Sequence, residues 1–324
     1  MSAAWTQLFP AKPRFTETSI TSLSGKVFIV TGGNAGVGFE LVKILWCKGG
    51  KIYIASRSQT KTNEAITKLK SIPTSTPGQV KHLFLDLSDL TTIKLSVEAF
   101  ASQETRLDVL WNNAGVAMPP SGSKTPQGHE LQMGTNCLGP YLFTRLLLPI
   151  LRDTAKSAAP AGVRVIFTSS ISTESAPEGG ICLAELDPSA HSNDQRRNYS
   201  MSKAGNWILA SEFHRRTQQD GIVCLTQNPG NLRTKIWDTA PLPARIGMKM
   251  LLHDPKLGAY TELWAGFSED VKSEDGGRYV IPWGRWHPNP RLDIMAGLQG
   301  REEGGTGIAQ EFWEWCEKQT VGFF

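Results

Sequence analysis

The stretch KVFIVTGGNAGVGFELVKILWCKG, which starts at Lys26, changes its periodicity twice within a few residues. Residues 26–31 form a continuous apolar, β-branched run, as a strand buried on both faces does. A Gly-rich turn follows, and the apolar residues then return at helical spacing. The alternation continues down the chain. KIYIAS (51–56), VKHLFLDL (80–87), LDVLWNNAG (107–115), VRVIFTSS (163–170), IVCLTQNPG (222–230) and RYVIP (278–282) are further strand-like runs. Helical patterns lie between them, most clearly over 128–156 and 199–218. Strands alternating with helices predict an α/β fold with a doubly wound, seven-stranded parallel sheet and helices on both faces.

The chain has 324 residues, and length alone would suggest two domains of about 150 residues each. Two irregular Gly- and Pro-rich tracts, 175–198 and 284–307, are each followed by further regular structure. They therefore read as loops over a site rather than as linkers, which predicts one domain over 25–324 behind an extended N-terminal leader, 1–24. A net charge of +4 is spread without long blocks, and the HRR cluster at 214–216 falls on a helix face. Nothing here outlines a nucleic-acid groove. The five cysteines stand singly, with no C-x-x-C, so we expect reduced thiols in a cytoplasmic setting and neither a disulfide framework nor a metal site. The N-terminus lacks an apolar run of signal-peptide length. The most apolar tract, 141–151, is too short for a bilayer and contains Arg145 and Pro149.

The turn at 31–38 spaces Gly32, Gly36 and Gly38 as G-x-x-x-G-x-G, with Asn34 and Val37 between them. It follows a strand and opens a helix, the setting in which such glycines let backbone amides approach a pyrophosphate at a helix N-terminus. The second strand ends in Ser56 and Arg57 with no acid. An Asp or Glu there would hold a ribose 2′-hydroxyl, whereas a guanidinium pairs with a 2′-phosphate. NADP(H) is favoured over NAD(H), against the simpler alternative of a solvated surface arginine.

RRNYSMSKAGN (196–206) places Tyr199 and Lys203 four residues apart, on one face of a helix. An ammonium beside a phenol favours the phenolate and lowers a pKa that starts near ~10. That would suit Tyr199 to proton exchange near neutral pH. Taken alone, the same spacing also describes a half-buried tyrosine beside a snorkelling lysine.

The chain resembles the short-chain dehydrogenase/reductase family. The matching pieces are TGGNAGVG (31–38), DL (86–87), NNAG (112–115), Asn136, SS (169–170), YSMSK (199–203) and PGNLRT (229–234), in the family's order. The resemblance implies a Rossmann fold and a set of roles. Tyr199 would exchange a proton with the substrate oxygen, and Lys203 would tune it and hold the nicotinamide ribose. Ser170 rather than Ser169 would hydrogen-bond the same oxygen, and Asn136 would anchor a water linking Lys203 to solvent. Asp86 and Leu87 would contact the adenine, with Asn113, Ala114 and Gly115 beside the adenosine and ribose. Pro229, Gly230, Leu232 and Thr234 would line the nicotinamide amide and diphosphate. Two donors aimed at a carbonyl oxygen would stabilise the charge that develops there.

One feature departs from the family's pattern: Ser170 and Tyr199 stand 29 positions apart, with a polar insertion at 175–197 between them. A comparable insertion marks the retinol-dehydrogenase-like branch, and the chain is similar to fungal reductases of that branch. A lid over 234–255 and C-terminal substrate loops and helix over 280–324 are expected. EFWEW (311–315) reads first as an amphipathic packing helix, and Trp283 and Trp286 as pocket walls. The expected activity is NADP(H)-dependent reduction of a ketone or aldehyde on a lipophilic, secondary-metabolite-like substrate. The alternatives are oxidation of a retinol- or steroid-like alcohol and a nucleotide-binding sensor without chemistry. The intact Asn136, Ser170, Tyr199 and Lys203 argue against the sensor, and NNAG argues against a nucleotide-sugar epimerase. Family members also associate through the segments 128–156 and 199–218, so a homo-oligomer is compatible, with the C-terminal tail able to cover one such face.

Overall fold

The computed structural model describes residues 3–187, 189–233 and 252–324. Among them eight strands form one sheet in the order β3-β2-β1-β4-β5-β6-β7-β8. The strands are β1 Val27–Thr31, β2 Lys51–Ser56, β3 Gln79–Phe84, β4 Val109–Asn112, β5 Val163–Thr168, β6 Ile222–Gln227, β7 Tyr279–Ile281 and β8 Arg285–Trp286. The first seven pair in parallel, as the sequence predicts. The eighth is an addition: two residues returning antiparallel along β7 after the turn at Gly284. The strand order reverses between β1 and β4, and this switch point opens a cleft at the C-terminal ends of the strands.

Side-chain alternation explains the two layers of helices. Val27 and Ile29 of β1 enter one core, while Phe28 and Val30 enter the other. All four are buried, so both faces of the strand need cover. Helices α4 (Leu90–Ala101), α6 (Gly139–Ala155), α7 (Gln195–Thr217) and α10 (Ile308–Thr320) cover the first face. Helices α2 (Gly36–Cys47), α3 (Gln59–Lys70) and α8 (Pro255–Phe267) cover the second. Several begin at a side-chain cap: Ser58 for α3, Asp89 for α4, Asp194 for α7 and Asp254 for α8. The one-turn α5 (Leu131–Met133) leads into α6 through a π-helical turn, Gly134–Leu138. Helix α9 (Leu292–Leu298) lies in the tract expected to be loop.

The tail helix α10 packs as an amphipathic element. Trp313 stands edge-on to Tyr141 of α6 and Phe213 of α7, with ring centroids 4.8 Å away in each case. It thereby covers part of the face that 128–156 and 199–218 would otherwise present. The N-terminal leader is not extended throughout. It contains α1 (Ala3–Leu8) and a 3-10 turn at Glu17–Ser19. Ile20 and Leu23 are buried, and Glu17 pairs with Lys256 and Tyr260 of α8. Among the described residues no helix is long and apolar enough to cross a membrane.

One buried acid marks the second face. Glu262 of α8 is fully buried under the ends of β5 and β6, where Thr168 Oγ1 and Gln227 Nε2 each reach its Oε1 at 3.4 Å. Burial pushes its carboxyl from 4.5 up to about 8, so it is protonated at neutral pH. The folded chain binds a proton there that the unfolded chain has already released above pH 4.5. The resulting stabilisation is complete below that pH and is lost as the pH rises through about 8. We expect Glu262→Gln to melt with wild type at pH 5 but several degrees above it at pH 9, by circular dichroism; parallel pH profiles would contradict a buried neutral acid.

Candidate active site

Helix α7 carries the first two site residues. Asp194 accepts from the amides of Arg196 and Arg197 and fixes the start of the helix. The insertion before it is docked there, because Arg197 pairs with Glu185 at 2.7 Å. Tyr199 and Lys203 then share one face, with Lys203 Nζ 5.6 Å from the Tyr199 ring centroid. Lys203 is buried and donates to the Thr168 carbonyl at 2.9 Å, and Asn206 Nδ2 donates to the same oxygen at 3.0 Å. The end of β5 thus holds two side chains of α7.

Burial dominates the electrostatics. It pushes the Tyr199 phenol up to about 12, with the Ser170 hydroxyl opposing the shift through a hydrogen bond. It pulls the Lys203 ammonium down to about 8. The expectation that Lys203 brings the phenol toward neutrality is therefore corrected: desolvation raises it, and the opposing hydrogen bond comes from Ser170. Tyr199 is protonated at neutral pH and stands ready as a donor.

The two serines separate by their partners. Ser169 is buried; its hydroxyl donates to the Lys203 carbonyl at 2.7 Å, pairs with Thr173 Oγ1 at 2.8 Å and accepts from Tyr279 at 3.2 Å. Ser170 is half-buried and caps the turn Ile171–Ser175, with its hydroxyl interacting with Tyr199. Asn136 sits in the π-helical turn, where its Nδ2 donates to Val116 O at 3.0 Å and to Ser202 Oγ at 2.9 Å. Its Oδ1 accepts from Val116 N at 2.8 Å. A methyl group built on Gly115 would lie 3.0 Å from Asn136 Oδ1 and 3.2 Å from Lys203 Nζ. The fold therefore brings Asn136, Ser170, Tyr199 and Lys203 together, with Gly115 leaving room beside Asn136 and Lys203.

The cleft continues to the Gly-rich turn. Helix α2 begins at Ala35, which offers no side-chain cap, so its first amides remain for an anion. A methyl on Gly38 would meet Asn113 Nδ2 at 2.6 Å and Gly32 O at 2.9 Å. Asn113 Nδ2 donates to Thr31 O, and the Ala114 amide donates to Thr31 Oγ1, both at 2.8 Å. Asn113 is thus a brace for the turn. Gly32, Asn34, Ser56, Arg57, Asp86, Leu87, Ala114 and Gly115 line the cleft together with Ser58, Lys61, Val116 and Thr135. These walls fit a nicotinamide dinucleotide, with the uncapped helix end toward the diphosphate and the cations Arg57 and Lys61 at the rim. Ser56 turns its hydroxyl to Thr62 at 2.7 Å, so it supplies wall rather than a free donor. Val37 and Leu232 both pack against Gly258 of α8. Gly230 adopts φ +92° and presses on Trp283, while Pro229 O approaches Gly258. Trp286 is half-buried, edge-on to Trp264 at 4.9 Å against the second core and beneath the Arg278 guanidinium. Thr234 and most of the expected lid, 234–251, lie outside the described residues.

Sequence reasoning missed Lys61, although its place four residues after Arg57, in the first turn of α3, was a readable signal. It also missed Thr168, whose contribution is a backbone carbonyl that carries no signature. Among the described residues no group of His, Cys, Asp and Glu is placed to hold a metal ion.

Fold and cleft together define an oxidoreductase of the nicotinamide-cofactor type. Residues 26–182 match the family model for short chain dehydrogenase. A short-chain dehydrogenase/reductase of Pestalotiopsis fici is 45% identical over 321 residues, which is 97% of this chain and 96% of that one. Another from Phomopsis amygdali is 45% identical over 322 residues, covering 98% and 96%. The crystal structure of an uncharacterized protein from Mycobacterium paratuberculosis is similar with a TM-score of 0.68 and 28% identity, over 95% of this chain and 97% of that one. An NADPH-bound carbonyl reductase from chicken fatty liver shares the fold at a TM-score of 0.60 and 18% identity, over 80% and 96%. The chain belongs to the short-chain dehydrogenase/reductase family, whose members use nicotinamide cofactors.

The two serines give a direct test of these roles. Ser169→Ala should cost about 1–3 kcal/mol by stranding buried partners, seen as a lower Tm. Ser170→Ala should lower Tm less, through the lost cap alone, and remove turnover; the reverse pattern would exchange their roles.

Proposed function

We propose that this protein is an NADP(H)-dependent reductase of a ketone or aldehyde on a lipophilic, secondary-metabolite-like substrate, with Tyr199 as proton donor. The observation that carries this reading is the convergence of the Ser170 hydroxyl on the Tyr199 phenol, with Lys203 beneath the ring and Asn136 behind it. When bound, the cofactor would supply the hydride to the carbonyl carbon. Ser170 and Tyr199 would donate hydrogen bonds to the carbonyl oxygen and stabilise the charge growing there. Tyr199 would pass its proton to that oxygen, and Lys203, held by Thr168 O, would stabilise the phenolate left behind. A water anchored near Asn136 would return a proton through Lys203.

A phenol pushed up to about 12 is protonated at neutral pH, the state that reduction requires of its donor. Arg57, Lys61 and Ser58 at the rim, with no acid at the end of β2, support a cofactor with a 2′-phosphate. Exposed Met118, on the loop after Gly115, supports a lipophilic substrate. We read 25–324 as one catalytic domain. Five free cysteines support a reducing, cytoplasmic setting.

Tyr199→Phe should abolish NADPH consumption across a panel of hydrophobic ketones and aldehydes while NADPH still quenches tryptophan fluorescence; substantial residual turnover would remove Tyr199 from its role. Because Lys203 must be charged, the reductive kcat/KM should be flat from pH 6 to 7 and fall as the pH rises through about 8. Arg57→Ala should weaken NADPH by on the order of tenfold and NADH far less, in parallel titrations. Equal loss for both cofactors would end the phosphate-clamp reading.

A further inference from the structure

The N-terminal helix reaches into the site. Gln7 of α1 is 2% exposed, and its side chain touches two loops that flank the reacting groups. Its Oε1 accepts from Asn228 Nδ2 at 2.8 Å. Its Nε2 donates to Glu174 Oε1 at 3.0 Å and lies 3.2 Å from His287 Nε2. Glu174 lies in the turn that Ser170 caps, and Asn228 immediately precedes Pro229 and Gly230.

The orientation of this chain of amides follows from one fixed donor. The Gly230 backbone N–H can only donate, and it gives its proton to Asn228 Oδ1 at 2.9 Å. Asn228 must then present Nδ2 to Gln7, so Gln7 must present Oε1 to Asn228 and Nε2 to Glu174. An amide alone can accept from one loop and donate to the other. A lysine at position 7 would serve Glu174 and repel the Asn228 donor; a glutamate would do the opposite.

The surroundings hold the arrangement. His287 Nε2 lies 2.9 Å from Glu174 Oε1, and Arg291 Nη1 donates to Glu174 O at 3.3 Å. The helix itself is tied down on either side of Gln7. Arg285 Nη2 donates to Thr6 O at 2.8 Å, and His253 Nε2 lies 3.4 Å from Leu8 O. Six helical residues would not fold by themselves, so these bonds give the segment its shape.

We propose that Gln7 is a positioning residue that fixes the Ser170 turn and the Pro229–Gly230 turn in one relation, making the N-terminal helix part of the active site. The inference rests on the reading of Pro229–Gly230 as the nicotinamide end of the cleft. A loosened strut would misplace the two turns relative to each other without emptying the adenosine half.

The test compares wild type with Gln7→Met, which keeps the volume and loses the contacts to Asn228, Glu174 and His287, and Gln7→Glu, which keeps the acceptor and loses the donor. Hydrogen exchange, measured without added cofactor, should speed up at least fivefold in the peptide spanning 228–233 of Gln7→Met, while peptides over 51–87 stay at the wild-type rate. With NADPH and a carbonyl substrate, both variants should lose at least tenfold in kcat, with KM for NADPH within twofold and a near-native Tm. Wild-type kcat in Gln7→Met, or exchange raised across the whole molecule, would overturn the proposal. Wild-type protein that turns over no carbonyl would instead overturn the functional reading, and the exchange result would still decide whether Gln7 positions the turn.

Discussion

The carbonyl of Thr168 is the hinge on which the site turns. It closes β5 and accepts from both Lys203 and Asn206, so helix α7 cannot rotate without breaking two buried bonds. The Ser169 hydroxyl returns the tie by donating to the Lys203 carbonyl. Strand end and helix are thereby locked in register, and Ser170, one residue on, arrives opposite Tyr199 by construction. The same α7 segment fixes the π-helical turn, since Ser202 Oγ accepts from Asn136. A backbone acceptor buried at a strand terminus thus sets the geometry of four side chains drawn from three elements.

Burial then sets the protonation states. The site is dry enough that the phenol rises and the ammonium falls, which brings the two affinities further from ordinary solution behaviour rather than closer to a shared value. Sequence spacing reports which groups are neighbours; it does not report how much water surrounds them. That is why the Tyr199–Lys203 pair was legible in the chain while the direction of the Tyr199 shift was not.

The strands were legible for a related reason. The central strands β1, β2, β4, β5 and β6 are buried on both faces and so carry continuous apolar runs that no amphipathic helix imitates. Their ends were less so. VKHLFLDL leaves the sheet after Phe84 because Leu85–Leu87 turn into the cleft, and LDVLWNNAG leaves it after Asn112 because Asn113 is drawn to Thr31 O. The π-helical turn left little trace beyond Gly134 and Gly139, the latter required because Leu87 O would lie 2.3 Å from any Cβ there. Helix α1 and strand β8 were invisible: six and two residues carry no period, and both owe their form to distant partners.

The addition of β8 has a consequence for how copies of this chain can meet. An open parallel sheet exposes unpaired backbone at two rims, each a template for joining another sheet. Here one rim ends in a two-residue strand running the wrong way for continued parallel pairing. The other rim, β3, carries Lys81 and His82 among its six residues, and Lys81 is held out toward Gln103. Neither border invites a neighbour's strand, so the sheet's rims resist fibre-like stacking of one copy on another.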